Sequence, residues 1–405
     1  MTSPTPSIHR AWLVVGLLWV VALLNYLDRN MLTTMRASVV EAIPMTDAQF
    51  GLLTSVFLWI YGFCSPFAGY LADKLNRVWI IIGSLFVWSA VTWLTGHART
   101  FEQLLAARAL MGISEACYIP AALALIADYH RGSTRSLATG IHMSGIFVGS
   151  GLGGLGGWLA DVYGWGHAFS LFGMIGIVYS FVLITLLRET PRESEAQTLT
   201  HQGGLASAFS HLFKSGPFWR VLLYWGLLGV CGWALSGWLP TYLGDRFQLS
   251  QGAAGLSATG YLQAAALVGV VLSGVLADRW SRRNERGRIF IPVIGMIIAA
   301  PGVFLAANTD TLAVAIFGLI IYGLARASAD TNMMPILCLV VDSRYRATAY
   351  GVLNLFSCVI GGVAIYAGGA MRDADIQLSR LFQIAAFSLL GCAYLLYSVK
   401  TSKRA

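Results

Sequence analysis

Gly69-Tyr70-Leu71-Ala72-Asp73-Lys74-Leu75-Asn76-Arg77 and Gly274-Val275-Leu276-Ala277-Asp278-Arg279-Trp280-Ser281-Arg282 spell one pattern twice, Gly-x-Leu-Ala-Asp-[Lys/Arg]-x-x-Arg. Each copy closes an apolar run long enough to cross a bilayer. A charged hinge repeated at the same place in two halves of an apolar chain points to a membrane protein built from repeats.

Composition agrees. Of 405 residues, 57% are hydrophobic and 11% charged, with a mean hydropathy of +0.67. A soluble chain carries about 25% charged residues, so a soluble fold is excluded. Apolar stretches of the roughly 17–25 residues needed to span hydrocarbon as a helix recur from end to end. They place twelve transmembrane helices at 11–35, 48–72, 78–96, 101–127, 136–160, 166–187, 218–243, 252–276, 288–307, 311–341, 345–370 and 378–398. The fold class is therefore all-α, with two six-helix bundles: 1–187, a cytoplasmic linker at 188–217, and 218–405. A β-barrel would instead alternate polarity over about ten residues per strand. The first run carries Asp28 and Arg29 deep within it, unlike a cleaved leader.

The net charge of +8 resembles a nucleic-acid footprint until its residues are placed. With the N-terminus in the cytoplasm, most Lys and Arg fall on cytoplasmic segments, among them Arg10, Lys74, Arg77, Arg135, Arg279, Arg282, Arg346 and Lys400. Arg36, Arg99, Arg246, Arg372 and Arg380 fall outside. This is the positive-inside bias, and it puts both termini in the cytoplasm. The basic balance reports topology and contact with anionic lipid headgroups; no nucleic-acid partner is implied. The six cysteines lie inside expected helices without a CxxC pair, so they read as packing residues rather than a disulfide or zinc framework.

The duplication runs further. Arg135-Ser-Leu-Ala-Thr-Gly140 and Arg346-Ala-Thr-Ala-Tyr-Gly351 open the fifth and eleventh helices, and Pro120 matches Pro335, which sets Glu115 opposite Asp330. Gly145, Gly149, Gly153 and Gly157, spaced by four, form a ridge that another helix backbone can approach. The Asp73-Lys74-x-x-Arg77 turn and its copy read as charge-assisted clasps at helix ends, held in one state and released in another.

An ionisable side chain at mid-bilayer costs at least ~2.5–3.5 kcal/mol, so such residues should face a cavity or a partner. The candidates are Asp28, Arg29, Arg108, Glu115, His142, Arg326 and Asp330. Arg108 and Glu115, seven apart, project from one helical face; Arg326 and Asp330, four apart, can pair directly. An arginine that keeps its charge suits carboxylate or phosphate binding, and a carboxylate in a partly dry cavity suits proton exchange. A purely structural ion-pair network is the alternative for both pairs. His142 reads equally as a relay or a packing residue. Tyr26 and Tyr118 flank the charges and are the aromatic residues expected at the cavity.

At full length the sequence resembles the major facilitator superfamily. The Gly69–Arg77 element is similar to that superfamily's loop motif, with Asn76 and Ser281 where a glycine is usual, and Arg108-x-x-x-Gly112-x-x-x-Ala116 is similar to its fourth-helix motif. Within it, Asn25-Tyr26-Leu27-Asp28-Arg29 with Arg108 and Glu115 resembles the anion:cation symporter branch. The Spinster-like lipid transporters share the same residues and a glycine run matched by Gly149 to Gly153. The resemblance implies a secondary transporter, not an enzyme, working as a monomer in a bacterial inner membrane. It further implies protons as the coupling ion and no other cofactor. A small anionic organic solute or a lysolipid is the implied cargo. The resemblance implies Glu115 and Asp28 as proton sites and Arg29 and Arg108 as the anion-binding or gating arginines. The placement of the mid-span residues adds Asp330 to the expected proton sites, and Tyr26, Tyr118, Arg326 and His142 to the expected substrate site. Gly69, Asp73, Lys74, Arg77, Gly274, Asp278, Arg279, Arg282, Arg135 and Arg346 would form the gate. Ser150, where drug antiporters of the superfamily carry a proline, argues against that alternative.

Overall fold

The first apolar run becomes α1 (Ile8–Thr34), buried along most of its length, including the polar Asn25, Asp28 and Arg29. The computed structural model describes residues 7–130, 134–190, 205–284, 286–342 and 345–399, and within them every regular element is a helix. The helices are α2 (Arg36–Ala42), α3 (Asp47–Lys74), α4 (Arg77–Thr95), α5 (Phe101–Ala116), α6 (Tyr118–Tyr129), α7 (Arg135–Leu152), α8 (Leu155–Tyr163) and α9 (Trp165–Leu186), then α10 (Leu205–Lys214), α11 (Gly216–Phe247), α12 (Gln251–Ser281), α13 (Gly287–Asn308), α14 (Leu312–Val340), α15 (Arg346–Asp373) and α16 (Leu378–Tyr397).

Among the described residues, eleven spans are long and apolar enough to cross a membrane. The expected fifth, 136–160, is present as two pieces, α7 and α8, parted at Gly153 and Gly154. The expected fourth breaks into α5 and α6 at Cys117, three residues before Pro120, whose ring removes a backbone donor. α2 and α10 are short helices that hydropathy did not mark. Part of the expected 188–217 linker lies outside the described residues.

Local chemistry sets the ends. Asn76, Thr100 and Ser215 cap α4, α5 and α11, each accepting from the backbone N–H three residues on, at 3.0, 3.3 and 3.4 Å. Gly164, with φ of 86°, turns the chain between α8 and α9 where a side chain would be strained. Large apolar side chains stand outward, Phe67 and Tyr394 each 73% exposed, as lipid-facing helices require.

Two compact units result. Unit 1 takes residues 7–45, 52–190 and 250–259; unit 2 takes 46–51, 205–249 and 260–399. Leu18, Ile81, Trp88, Tyr118 and Leu125 lie in the core of unit 1. The glycine ridge of α7 packs on α1: a methyl on Gly145 would fall 2.7 Å from the Trp19 carbonyl oxygen, and one on Gly149 would collide with that of Leu23. In unit 2, Phe218, Tyr224, Trp238, Tyr322 and Phe382 are fully enclosed.

The repeat survives in hydrogen bonds. Arg135 donates through Nε to the His130 carbonyl at 3.1 Å and through Nη2 to that of Ala127 at 3.3 Å. Arg346 does the same to Val341 at 3.4 Å and Cys338 at 3.3 Å. Each arginine thus satisfies carbonyls that the end of the preceding helix, α6 or α14, leaves open. Likewise Asp161 accepts from the Gly252 N–H at 2.8 Å, at the start of α12, and Asp373 accepts from those of Asp47 and Ala48 at 2.8 and 2.9 Å, at the start of α3.

Candidate functional site

The charged cluster of unit 1 is assembled by four helices. From α1 come Asn25, Tyr26, Asp28 and Arg29; from α3, Leu53, Phe57 and Tyr61; from α4, Thr92; from α5, Arg108 and Glu115. Arg29 donates to Glu115 Oε2 through Nη2 at 2.8 Å and Nε at 3.3 Å, and through Nη2 to Asn25 Oδ1 at 3.4 Å. Three rings enclose its guanidinium, with centroids 4.5 Å (Tyr26), 4.9 Å (Phe57) and 4.7 Å (Tyr61) from Cζ. Phe57 also lies 4.5 Å from Cζ of Arg108, so one ring serves two cations.

Arg108 is 1% exposed; its Nε donates to the Leu53 carbonyl at 3.4 Å and its Nη1 reaches Met111 Sδ at 3.6 Å. Asp28 Oδ2 accepts from the Thr92 hydroxyl at 3.3 Å. Among the described residues, Asp28 Oδ1 and Arg108 Nη2 are enclosed without a hydrogen-bond partner. Two carboxylates and two guanidiniums balance formally. In a low-dielectric interior such a set persists only as a unit, since removing one member strands its opposite.

Tyr118 and His142 meet behind this cluster. The Tyr118 hydroxyl donates to the Leu18 carbonyl at 2.7 Å, so His142 Nε2, 2.8 Å from the same oxygen, must be the donor there. Both side chains are fully buried. They brace α1, α6 and α7.

Unit 2 holds the other mid-span pair. Arg326 Nη1 donates to Asp330 Oδ2 at 2.6 Å, one turn on along α14, and these side chains are 28% and 30% exposed. Tyr322 and Cys231 lie beside them, the thiol donating to the Tyr322 hydroxyl at 3.7 Å.

The two hinge motifs are bonded differently. Arg77 is buried, pairs with Asp128 at the end of α6 and donates to the Ala72 carbonyl at 3.3 Å, while Glu189 accepts from the Val78 N–H at 3.1 Å. In the copy, Asp278 pairs with Arg288 at 3.6 Å, and Arg279 and Arg282 are exposed. Lys74 is exposed above the Tyr70 ring; the Asp73 side chain lies outside the described residues. Gly69 has open space where a Cβ would stand, and the nearest atom to such a Cβ on Gly274 is Thr331 Cγ2 at 3.5 Å.

Sequence reading did not single out Phe57, Thr92 or Asp128. Phe57 and Tyr61 are four apart on α3, a spacing that would have put both rings on one face, but an apolar helix gives no sign of which face turns inward.

Helices of membrane-spanning length that carry ionisable side chains at mid-span define an integral membrane protein. The Major Facilitator Superfamily matches residues 18–365, and the chain belongs to it. Spinster homolog 3 of Danio rerio is 29% identical, over 97% of this chain and 84% of its own length. The D-galactonate transporter of Escherichia coli O6:H1 is 26% identical, over 98% of this chain and 97% of its own. A bacterial homologue of the human lysosomal transporter Spinster, solved inward-facing and unoccupied, superposes with a TM-score of 0.78 at 24% identity, covering 97% of this chain and 96% of that one.

Proposed function

We propose that the protein is a proton-coupled symporter of a small organic anion, such as a sugar acid, working by alternating access in a bacterial inner membrane with both termini cytoplasmic. The observation that carries this reading is the closed, charge-balanced set Asp28, Arg29, Arg108 and Glu115. Protonating Glu115 removes the negative partner of Arg29 and leaves a net positive cluster, whose balance an incoming anion restores. Proton and anion then each favour the state that the other needs, which is the linkage a symporter requires. Asp28, one residue from Arg29 and held by Thr92, is the second carboxylate able to take part.

The test is uptake into proteoliposomes under an imposed pH gradient, with D-galactonate as first probe. Glu115→Gln should abolish proton-driven uptake while sparing counterflow exchange. Unchanged proton-driven uptake in that variant removes Glu115 from the coupling step.

A second reading, export of a lysolipid or related amphiphile, draws on the likeness to Spinster proteins. Thermal-shift binding of sugar acids set against lysolipids separates the two. Proton/drug antiport is a third reading, disfavoured by Ser150.

A further inference from the structure

The corner between α12 and α13 repeats the one between α3 and α4, yet the two handle their shared arginine differently. In unit 1, Arg77 is buried and pairs with Asp128. Its counterpart in the repeated pattern is Arg282, which is exposed. The bonds made by Arg135 and Arg346 fix the register of the helices before them. The Ala127 carbonyl answers to that of Cys338, and the His130 carbonyl to that of Val341. Asp128 therefore answers to Leu339. Unit 2 carries the arginine without the carboxylate.

Positive charge gathers at this corner. From Asp278 to Arg288 the sequence holds five arginines against two acids. Asp278 pairs with Arg288 at 3.6 Å. Arg286 closes the end of α16, donating through Nη2 to the Tyr397 and Val399 carbonyls at 2.8 and 3.5 Å. Arg279, Arg282 and Arg283 are exposed, and among the described residues their side chains make no hydrogen bond or ion pair.

Beside them stands a shelf of rings. The Trp280 centroid lies 5.6 Å from that of Phe290, which lies 6.3 Å from that of Tyr397. The Arg286 guanidinium rests on the latter two at 5.2 and 5.7 Å. Trp280 and Tyr397 are 38% and 57% exposed. Just before the corner, α12 turns Val271, Leu272, Val275 and Leu276 outward. The shelf thus sits where a lipid-facing surface gives way to charge, and exposed tryptophan and tyrosine are the side chains that suit such a border.

We propose that this corner binds an anionic phospholipid. Arg282 and Arg283, with Arg279 beside them, take the phosphodiester, and the glycerol and upper acyl chain lie on the Trp280–Phe290–Tyr397 shelf. The guanidinium fork matches phosphate oxygens, and the lipid provides the negative partner that Asp128 provides within unit 1. The α12–α13 corner is then braced by the membrane, whereas the α3–α4 corner is braced by the chain itself. This site stands apart from the symport reading and holds for any cargo.

The experiment is thermal melting of the detergent-purified full-length protein titrated with dioctanoyl phosphatidylglycerol. Dioctanoyl phosphatidylcholine is the zwitterionic control, and glycerol phosphate is the free headgroup. Phosphatidylglycerol alone should raise the melting temperature. Arg282→Gln/Arg283→Gln should weaken its binding by about tenfold or more. Both side chains are exposed, so stability without lipid should match wild type. Leu339→Asp, which gives unit 2 the acid it lacks, should also weaken binding. Arg99→Gln/Arg380→Gln removes the same charge from exposed positions in the segments assigned to the other side of the membrane; it should bind as wild type does. Wild-type affinity in the Arg282/Arg283 variant overturns the proposal, as does an equal loss in the Arg99/Arg380 variant, which would mark attraction by net charge. Equal stabilisation by phosphatidylcholine or by glycerol phosphate overturns it too, the first excluding charge recognition and the second excluding a lipid as the occupant.

Discussion

Unit 1 and unit 2 each carry ionisable side chains at the middle of their spans, and they treat them in opposite ways. Unit 1 closes two carboxylates and two guanidiniums among Tyr26, Phe57, Tyr61 and Thr92, drawn from four helices. Unit 2 places one ion pair within a single helix and leaves both partners about a third exposed. The first arrangement is costly to disturb. The second is inexpensive to rearrange. The two treatments reside in different halves of a duplicated chain.

The contrast is breakable by stability measurements on detergent-purified protein. The largest effect expected is for Arg29→Ala, which strands buried Glu115; a loss of about 3–5 kcal/mol is expected, seen as a large fall in melting temperature. Next is Phe57→Leu, which takes away the ring shared by two guanidiniums without making a polar gap. It should cost about 1–2 kcal/mol. The smallest effect belongs to Arg326→Gln/Asp330→Asn, within about 1 kcal/mol of wild type, since a partly exposed pair within one helix gains little. A double variant as damaging as Arg29→Ala would erase the distinction between the units. A harmless Phe57→Leu would show that the Arg29–Glu115 bonds alone define the sealed cluster.

Much of this was readable in the chain. The spans follow from length and apolarity, and the mid-span charges announce themselves because each is an exception in an apolar run. The glycine ridge was equally plain: four glycines at helical spacing find α1 at their backbone. What stayed hidden is directional. A soluble helix shows its inner face by polarity, but a helix between lipid and protein is apolar all round, so nothing marked Phe57 as inward or Phe67 as outward. The pairing of Arg77 with Asp128 was hidden for another reason, since long-range partners at helix ends depend on how loops close. The break at Gly153 and Gly154 was obscured by the same glycines that make the ridge, which serve close packing and helix interruption alike.

The matched arginines at 135 and 346 bear on the ancestry of the chain. Each closes the corner between two consecutive helices using only carbonyls of its own half. A corner that is complete within one half does not need the other half to exist. An ancestral gene encoding a single half could already have made it, and a present-day chain severed between α9 and α11 should yield fragments that each retain it.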